Sequence, residues 1–480
     1  MLRRASDHLT WTPEGVPLNK NGGEPMHRLE LDSEEIHTPA YSGRCFTHEV
    51  PKYRLPSQGM DADAAYRLVH DELNLDGNPA LNLASFVTSW MEPQANALAV
   101  ETLDKNLIDQ DEYPQTEVIH QRVVSMIGRL FHAPAHEHPT GTATIGSSEA
   151  IMLAMLAHKR SWQRRREQAG LPVDRPNLVI GADVHTCWEK FTRYFEVEAR
   201  IAPMEEGRYT IGAEQVESLI DERTIAVAGV LGTTFTGQMD DLAGINDLLS
   251  RIESERGLHI PLHVDAASGG FLTPFAEPEL AWDFRLSQVR SINVSNHKFG
   301  LVYPGMGTVV FRDRSDLPEE LVFHINYLGG DMPNYSLNFS RPSNSVVLQY
   351  FNFLRLGKEG YERIVATVLD NAKALAAGLG KIEGLSLLND GSRFPIVALR
   401  ADDQSAIDLT ELSHLLRERG WIVPAYTLPP NAEHINVLRM VVRESFSRDM
   451  ADMLIHDVHQ ALHALRAGGR DGHPRKRIHC

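Results

Sequence analysis

Two stretches decide the fold of this chain: Leu262-His263-Val264-Asp265-Ala266-Ala267-Ser268-Gly269-Gly270 and Ser295-Asn296-His297-Lys298-Phe299-Gly300. Each lies at the end of a short apolar run typical of a buried strand, and each carries one prominent charge, Asp265 or Lys298. Their separation of 33 residues leaves room for one helical crossover between neighbouring parallel strands. Because parallel strands share one carboxyl edge, we expect Asp265 and Lys298 to face the same ligand cleft.

This pair of side chains suits pyridoxal 5'-phosphate (PLP). The amine of Lys298 would form a Schiff base with the cofactor, and Asp265 would keep the pyridinium nitrogen protonated so that the ring accepts electrons. Ala267 is small enough to lie flat against the ring. Taken singly, Asp265 could equally cap a turn and Lys298 could be an ordinary loop lysine, so the hypothesis depends on the pair.

A phosphate site is predicted in Gly146-Ser147-Ser148-Glu149-Ala150, placed just before a helix that we expect to begin near Ile151. Free amides and two hydroxyls at a helix N-terminus bind phosphate, although serine is more commonly a simple N-cap there. His297 could donate to the same phosphate, and Thr234, after a buried-type strand, would face the same cleft. A Gly-Lys-Ser/Thr sequence is missing, so a nucleotide P-loop is not supported.

Apolar runs at 177–180, 224–230, 260–264, 291–294 and 307–311 alternate with helical patterns. This alternation predicts an α/β fold, a mostly parallel sheet with helices on both faces. We predict four regions: an N-terminal extension and helical segment at a subunit interface (1–80), a large domain (81–368), a small C-terminal α+β domain (369–466) and a mobile tail (467–480).

The composition excludes several classes of protein. A net charge of −17 over 480 residues disfavours nucleic-acid binding. No apolar stretch reaches the ~18 residues of a transmembrane helix, so no membrane association is expected. Three scattered cysteines cannot form a disulfide framework, which favours a cytoplasmic location.

These motifs closely resemble the fold type I PLP-dependent amino-acid decarboxylases and, within them, the glutamate decarboxylases. The resemblance covers roughly residues 60–460 and implies a seven-stranded sheet. Further runs that carry it are Asn82 to Phe86, Asn106 to Asp109, Glu112 to Gln115, Cys187-Trp188, Lys190-Phe191, Trp282 to Leu286, Tyr327 to Gly330, Asn338 to Pro342 and Leu354 to Gly357. The resemblance implies decarboxylation of L-glutamate to 4-aminobutyrate (GABA) and CO2, through a Schiff base on Lys298 and a quinonoid intermediate.

The resemblance also implies residue roles. The catalytic residues would be Lys298, Asp265 and His185, with His185 stacked on the PLP ring. Cofactor contacts would come from Ser147, Ser148, His185, Thr234, Asp265, Ala267, Ser295, His297 and Lys298, and from Ser340 of the other subunit of a dimer. Substrate contacts would come from Ser85, the backbone of Phe86 and Arg439, with Asn106 and Asp109 from the neighbouring subunit. Bacterial and plant glutamate decarboxylases often have glutamine at the position of His185, and the family usually has threonine at that of Ser85.

Several alternatives stay open. Because His185 departs from the family pattern, decarboxylation of another amino acid is an alternative function. A catalytically silent PLP-binding scaffold is a second alternative, from a different class of protein. A metal hydrolase could use His132, His136 and His138, or His263 with Asp265. We expect at least a homodimer, possibly a hexamer. The tail contains His479, which could cover the site at neutral pH, but a disordered basic end is favoured; its lack of tryptophan argues against calmodulin binding.

Overall fold

The computed structural model describes residues 52–134, 139–325, 332–404 and 406–468. Contacts within the chain divide it into two units, Met1–Gly77 and Asn78–Cys480. The first unit contains helix α1 (Ala62–Leu73), whose first amides are capped by the carboxylate of Asp61. The predicted tail with His479 and the run Tyr327 to Gly330 lie outside the described residues.

The second unit alternates helices and strands. Its helices are α2 (Pro93–Glu101), α3 (Pro114–Leu130), α4 (Gly146–Gln168), α5 (Cys187–Tyr194), α6 (Ala213–Glu217), α7 (Leu242–Arg256), α8 (Thr273–Ala276), α9 (Asn344–Leu379), α10 (Leu409–Arg417) and α11 (Arg448–Gly468). Its strands are β1 (Thr140–Thr144), β2 (Asn177–Gly181), β3 (Glu198–Ala202), β4 (Thr224–Val230), β5 (Leu262–Asp265), β6 (Val289–Val294), β7 (Gly307–Phe311), β8 (Phe323–Ile325), β9 (Met332–Asn334), β10 (Leu385–Asp390), β11 (Ile396–Ala401), β12 (Ala425–Thr427) and β13 (Asn436–Val441).

The main sheet has seven strands in the order β1-β7-β6-β5-β4-β2-β3. Pairing is parallel from β6 through β3, whereas β7 runs antiparallel to both of its neighbours. The predicted α/β architecture is confirmed, and β4 and β7 coincide with the apolar runs at 224–230 and 307–311. Strand order places β4, β5 and β6 side by side, with their carboxyl ends at one edge.

Both faces of this sheet are buried. Val227 packs into one hydrophobic cluster, while its neighbours on β4, Ala226 and Ala228, pack into another that includes residues of α4 and α5. Alternate residues of one strand therefore meet different layers, which explains why the strand is apolar at successive positions.

Strands β1 and β3 have no counterpart in the sequence prediction. The first reads Thr-Gly-Thr-Ala-Thr and the second Glu-Ala-Arg-Ile-Ala, with only Ala202 of the latter buried. They lie at the two edges of the main sheet. An edge strand needs fewer apolar residues, so the pattern of a buried strand is missing from both.

The prediction of the start of α4 was wrong. The helix begins at Gly146, which has a φ of +71°, and not near Ile151. Ser147 and Ser148 consequently lie in its first turn rather than before it. The left-handed backbone at position 146 is a conformation that glycine adopts without a steric penalty.

A second, antiparallel sheet has the order β10-β11-β13-β12 and packs with α9 and α10. The long helix α9 is interrupted at Gly357, where the backbone has a φ of +57°. Glycine adopts this positive φ without a steric penalty. Among the described residues, no helix combines the length and apolar character needed to cross a bilayer.

Candidate active site

A cavity of about 270 Å³ opens where β4, β5 and β6 end and α4 begins. All the predicted cofactor-binding residues except Ser340 line it: Ser147, Ser148, His185, Thr234, Asp265, Ala267, Ser295, His297 and Lys298. The topology explains this convergence, because the parallel strands deliver their following residues to the same edge as the N-terminus of α4.

Asp265, the last residue of β5, has a carboxylate held by three N–H donors. Its Oδ1 accepts from the backbone of Ala267 at 3.1 Å and from the side chain of Asn293 at 2.9 Å, and its Oδ2 accepts from the indole of Trp188 at 3.0 Å. An ionised carboxylate is acceptor-only, so all three contacts suit that form. The side chain is thus fixed at the cavity wall and can accept a further donor from a ligand.

Lys298 follows β6, and its amine contacts Ser268 and Phe86. Its Nζ donates to Ser268 Oγ at 3.0 Å and lies 4.7 Å from the centroid of the Phe86 ring. Burial lowers the pKa of Lys298 to about 8, although the nearby Asp265 opposes the shift. A lysine with this pKa provides a neutral, nucleophilic amine near neutral pH far more readily than a solvated lysine does.

The first turn of α4 offers hydroxyls and helix amides to an anion. Ser147 Oγ and Ser295 Oγ are 2.7 Å apart, which brings the loop after β6 to the helix N-terminus. A Cβ at Gly307 would lie 2.5 Å from the backbone carbon of Gly146, so only glycine allows this approach. The acidic residue of this turn, Glu149, instead accepts from the amides of Ile145 and Leu337. The arrangement suits a phosphate group.

Two histidines border the cavity in the neutral form. His297 donates from Nδ1 to the carbonyl of Met306 at 2.6 Å, and burial, with the Lys298 charge, lowers its pKa to about 4. His185 accepts the amide of Cys187 on Nδ1 at 3.2 Å, which leaves its proton on Nε2; burial and Lys298 lower its pKa as well. Neutral imidazoles leave Lys298 as the titrating cation on this wall.

Two of the predicted substrate residues, Phe86 and Arg439, lie near Lys298, although neither they nor Ser85 line the 270 Å³ cavity. Arg439 of β13 donates to the carbonyl of Thr234 at 2.7 Å and to that of Ala84 at 2.6 Å, and its Cζ lies 5.1 Å from the Phe86 ring centroid. Its Nε is buried without a hydrogen-bond partner. Ser85 Oγ accepts from the amide of Val87 at 3.1 Å. An arginine held this way retains donor capacity for a carboxylate.

The residues assigned to the neighbouring subunit form a separate cluster. Asn106 donates to Ser340 Oγ at 3.2 Å and accepts the amide of Arg341 at 3.0 Å, while the amide of Asp109 donates to the carbonyl of Asn106. Asn106, Asp109 and Ser340 do not line the 270 Å³ cavity of their own chain.

Asp183 is a cavity residue that the sequence analysis missed. Neither of its buried carboxyl oxygens meets a donor, and burial raises its pKa to about 7. The interacting carboxyl group of Asp240 accepts two backbone amides, from Ile211 and Val230, and burial raises its pKa too. The only signal of Asp183 in the sequence is an aspartate two positions before His185.

The predicted metal ligands do not assemble among the described residues. His132 Nδ1 lies 2.9 Å from Asp283 Oδ2, and the residues that the structure describes contain no group of three or more potential ligands. His136 and His138 lie outside the described residues. Cys187 is buried, and burial raises its pKa to about 12, so it stays a thiol.

The fold and the lysine–aspartate cavity define the class of PLP-dependent enzymes. The family model "Pyridoxal-dependent decarboxylase conserved domain" matches residues 55–401, and the chain belongs to this family. Its cofactor is PLP. The cavity fits that group: Asp265 is an acceptor for the ring nitrogen, Lys298 is a nucleophilic amine, and the first turn of α4 can hold the phosphate.

Within the family, plant and bacterial glutamate decarboxylases are among the proteins to which the chain is most similar. The chain is 50% identical over 433 residues to glutamate decarboxylase 5 of Arabidopsis thaliana, which covers 90% of this chain and 88% of that protein. It is 44% identical over 437 residues to the glutamate decarboxylase of Aliivibrio fischeri, covering 90% and 94% of the two chains. The solved glutamate decarboxylase of Lactobacillus brevis superposes with a TM-score of 0.87 at 43% identity, covering 92% of this chain and 99% of that one.

Proposed function

We propose that the 270 Å³ cavity binds PLP and L-glutamate, and that the chain removes the α-carboxylate to give GABA and CO2. The observation that carries this proposal is the placement of Asp265 and Lys298 in one cavity, each fixed by contacts within the chain. When bound, PLP supplies an electron sink for the electron pair left on the α-carbon as CO2 departs.

The residues have separable tasks. Ser147, Ser148 and Ser295 would hold the phosphate, with His297 beside them. Asp265 would accept a hydrogen bond from the ring nitrogen and so stabilise its protonated form. His185 would stack on the ring, Ala267 would lie flat against it, and Thr234 would bind near its substituents.

Lys298 would anchor the cofactor and then handle protons. With a pKa of about 8, its amine can release and take up a proton near neutral pH, and it would return one to the α-carbon after CO2 leaves. The surrounding Phe86 ring keeps one side of the amine apolar.

Substrate binding would use Arg439 for one carboxylate, and Ser85 with the backbone of Phe86 for the other. Arginine is suited to this because its planar fork bonds a carboxylate bidentately. Asn106, Asp109 and Ser340 would complete the cavity of the other subunit, so we propose at least a homodimer. Their grouping in one cluster is consistent with a shared role.

The division into domains at residues 368 and 466, and a cytoplasmic location, belong to the same proposal.

The test is to purify the chain with PLP, record its visible absorbance, and measure GABA and CO2 after adding L-glutamate. Borohydride treatment followed by peptide mass spectrometry should find the cofactor on the peptide that contains Lys298. L-Aspartate and aromatic amino acids serve as control substrates. PLP on a different lysine, or turnover of a control substrate in place of glutamate, would contradict the proposal.

A further inference from the structure

Behind Asp265, the buried side chains of His158, Ser291, His263 and Asn293 form a line of hydrogen bonds. The parallel register pairs His263 with Ser291 and Asp265 with Asn293, so these side chains form a square on neighbouring strands β5 and β6. His158 reaches the same square from α4. His263, Ser291 and Asn293 are 0% exposed and His158 is 3% exposed, so water does not serve these groups.

Each hydrogen bond in this line is short. His158 Nε2 lies 2.7 Å from Ser291 Oγ, which lies 2.7 Å from His263 Nδ1. The other ring nitrogen of His263, Nε2, lies 2.7 Å from Asn293 Oδ1, and Asn293 Nδ2 donates to Asp265 Oδ1 at 2.9 Å. The line thus connects α4 to the carboxylate at the cavity wall.

The direction of every bond follows from Asp265. Because an ionised carboxylate only accepts, Asn293 must turn its NH2 group toward Asp265 and its oxygen toward His263. The oxygen of Asn293 requires a proton on His263 Nε2, so His263 Nδ1 is an acceptor and takes the single hydroxyl proton of Ser291. Ser291 then accepts from His158 Nε2. Every donor therefore points toward Asp265.

This direction requires a neutral His263, because a doubly protonated imidazole carries a proton on Nδ1 and cannot accept from Ser291. Burial lowers the pKa of His263 to about 4 and also lowers that of His158. Hydrogen bonds that run in one direction polarise one another, which strengthens the last bond, the one to Asp265.

We propose that His158, Ser291, His263 and Asn293 are positioning residues that orient the Asp265 carboxylate toward the PLP ring nitrogen, and thereby set the protonation of that nitrogen. This inference rests on the proposed role of Asp265. Trp188 holds the other carboxylate oxygen and also packs edge-on against His263, with ring centroids 5.6 Å apart. The line holds one carboxylate oxygen of Asp265 and the indole holds the other, so the carboxylate cannot rotate away from the cavity.

The test compares His263→Leu with His263→Gln. Leucine fills similar space but ends the line, whereas glutamine can accept from Ser291 and donate to Asn293. For each full-length variant, we would measure the PLP dissociation constant, the NMR shift of the isotope-labelled ring nitrogen of bound PLP, and thermal stability. We expect His263→Leu to bind PLP about tenfold more weakly, with a ring-nitrogen signal shifted toward the unprotonated form. His263→Gln should stay within about threefold of the unaltered chain.

A folded His263→Leu variant with unaltered PLP affinity and ring-nitrogen signal would overturn the inference. Equal losses in both variants would also overturn it, because packing alone would then explain them. If His263→Leu does not fold, Ser291→Ala removes one hydroxyl from the same line and should move both quantities in the same direction; unaltered values would again be contrary. An unaltered chain that binds no PLP would instead remove the proposed function, together with this inference.

Discussion

The two ends of the active site, one at Asp265 and the other at Arg439, differ in how far these two side chains are satisfied within the chain. The carboxylate of Asp265 has both oxygens satisfied: three N–H donors meet it, and a line of buried groups supports one of them. At Arg439, the guanidinium holds two carbonyls but its buried Nε has no partner. A satisfied end suits a cofactor that stays bound, and spare donor capacity suits a substrate that must come and go.

This comparison predicts which variants disturb the cofactor and which disturb the substrate. Substitutions at the Asp265 end should change PLP affinity and the spectrum of bound PLP. Substitutions at the Arg439 end should raise KM for glutamate and leave the spectrum unaltered. Lys298 serves both ends.

The largest effect is expected for Lys298→Ala. Without the amine, the cofactor has no covalent anchor and the α-carbon has no nearby proton donor, so activity should fall at least about a thousandfold. Visible absorbance and GABA release measure the two losses. Lys190→Ala, at an exposed lysine of α5, is the matched control. Retention of both signals by Lys298→Ala would rule out its assigned role.

Asp265→Asn should follow, with a fall in kcat on the order of a hundredfold and weaker PLP binding. The neutral amide is nearly isosteric, but its NH2 group would face one of the donors that now meet the carboxylate. Spectral titration with PLP and steady-state kinetics would show the effect, with Asp452→Asn on the surface of α11 as control. A change in KM alone would show that Asp265 acts on the substrate and not on the cofactor.

Arg439→Lys should raise KM for L-glutamate roughly ten- to a hundredfold while PLP affinity stays the same. Lysine keeps the positive charge but loses the planar fork and the donors to Ala84 and Thr234. Kinetics and PLP titration on one preparation separate the two quantities; Arg417→Lys on α10 is exposed and serves as control. Weakened PLP binding would contradict the division between the two ends.

The smallest effect, on stability rather than turnover, is expected for Asp183→Asn. Burial raises the pKa of Asp183 from its usual 3.8 to about 7, so the folded chain binds this proton more tightly than the unfolded chain. Its contribution to the free energy of unfolding is fully present below about pH 4 and is lost as the pH rises through 7. Asparagine can donate to Asp240 at any pH.

The variant should therefore lose this part of the pH dependence and gain stability above neutral pH, while Asp452→Asn should behave like the unaltered chain. Denaturant unfolding at a series of pH values checks the sign. A variant less stable than the unaltered chain at alkaline pH would show that the buried charge of Asp183 does not destabilise the fold.

The sequence predicted the parts of the fold where local pattern and burial coincide. The apolar runs of β4 and β7 were located to the residue, because strands covered on both faces contain almost only apolar or small residues. The edge strands β1 and β3 escaped prediction because β1 is rich in threonine and β3 is mostly exposed, so neither contains a continuous apolar run. The start of α4 was misplaced because glycine and serine were taken as the cap when they form the first turn.

The sequence by itself determined the chemistry of the cavity: one lysine, one aspartate and paired serines, each placed at the end of a strand or the start of a helix. Only the tertiary structure decided which buried groups stand behind them. His263 and Ser291, or Asp183 and Asp240, become partners through strand register and loop packing, which local sequence does not encode. The free energy of a buried polar group depends on its neighbours in space, so its role becomes apparent only once those neighbours are in place.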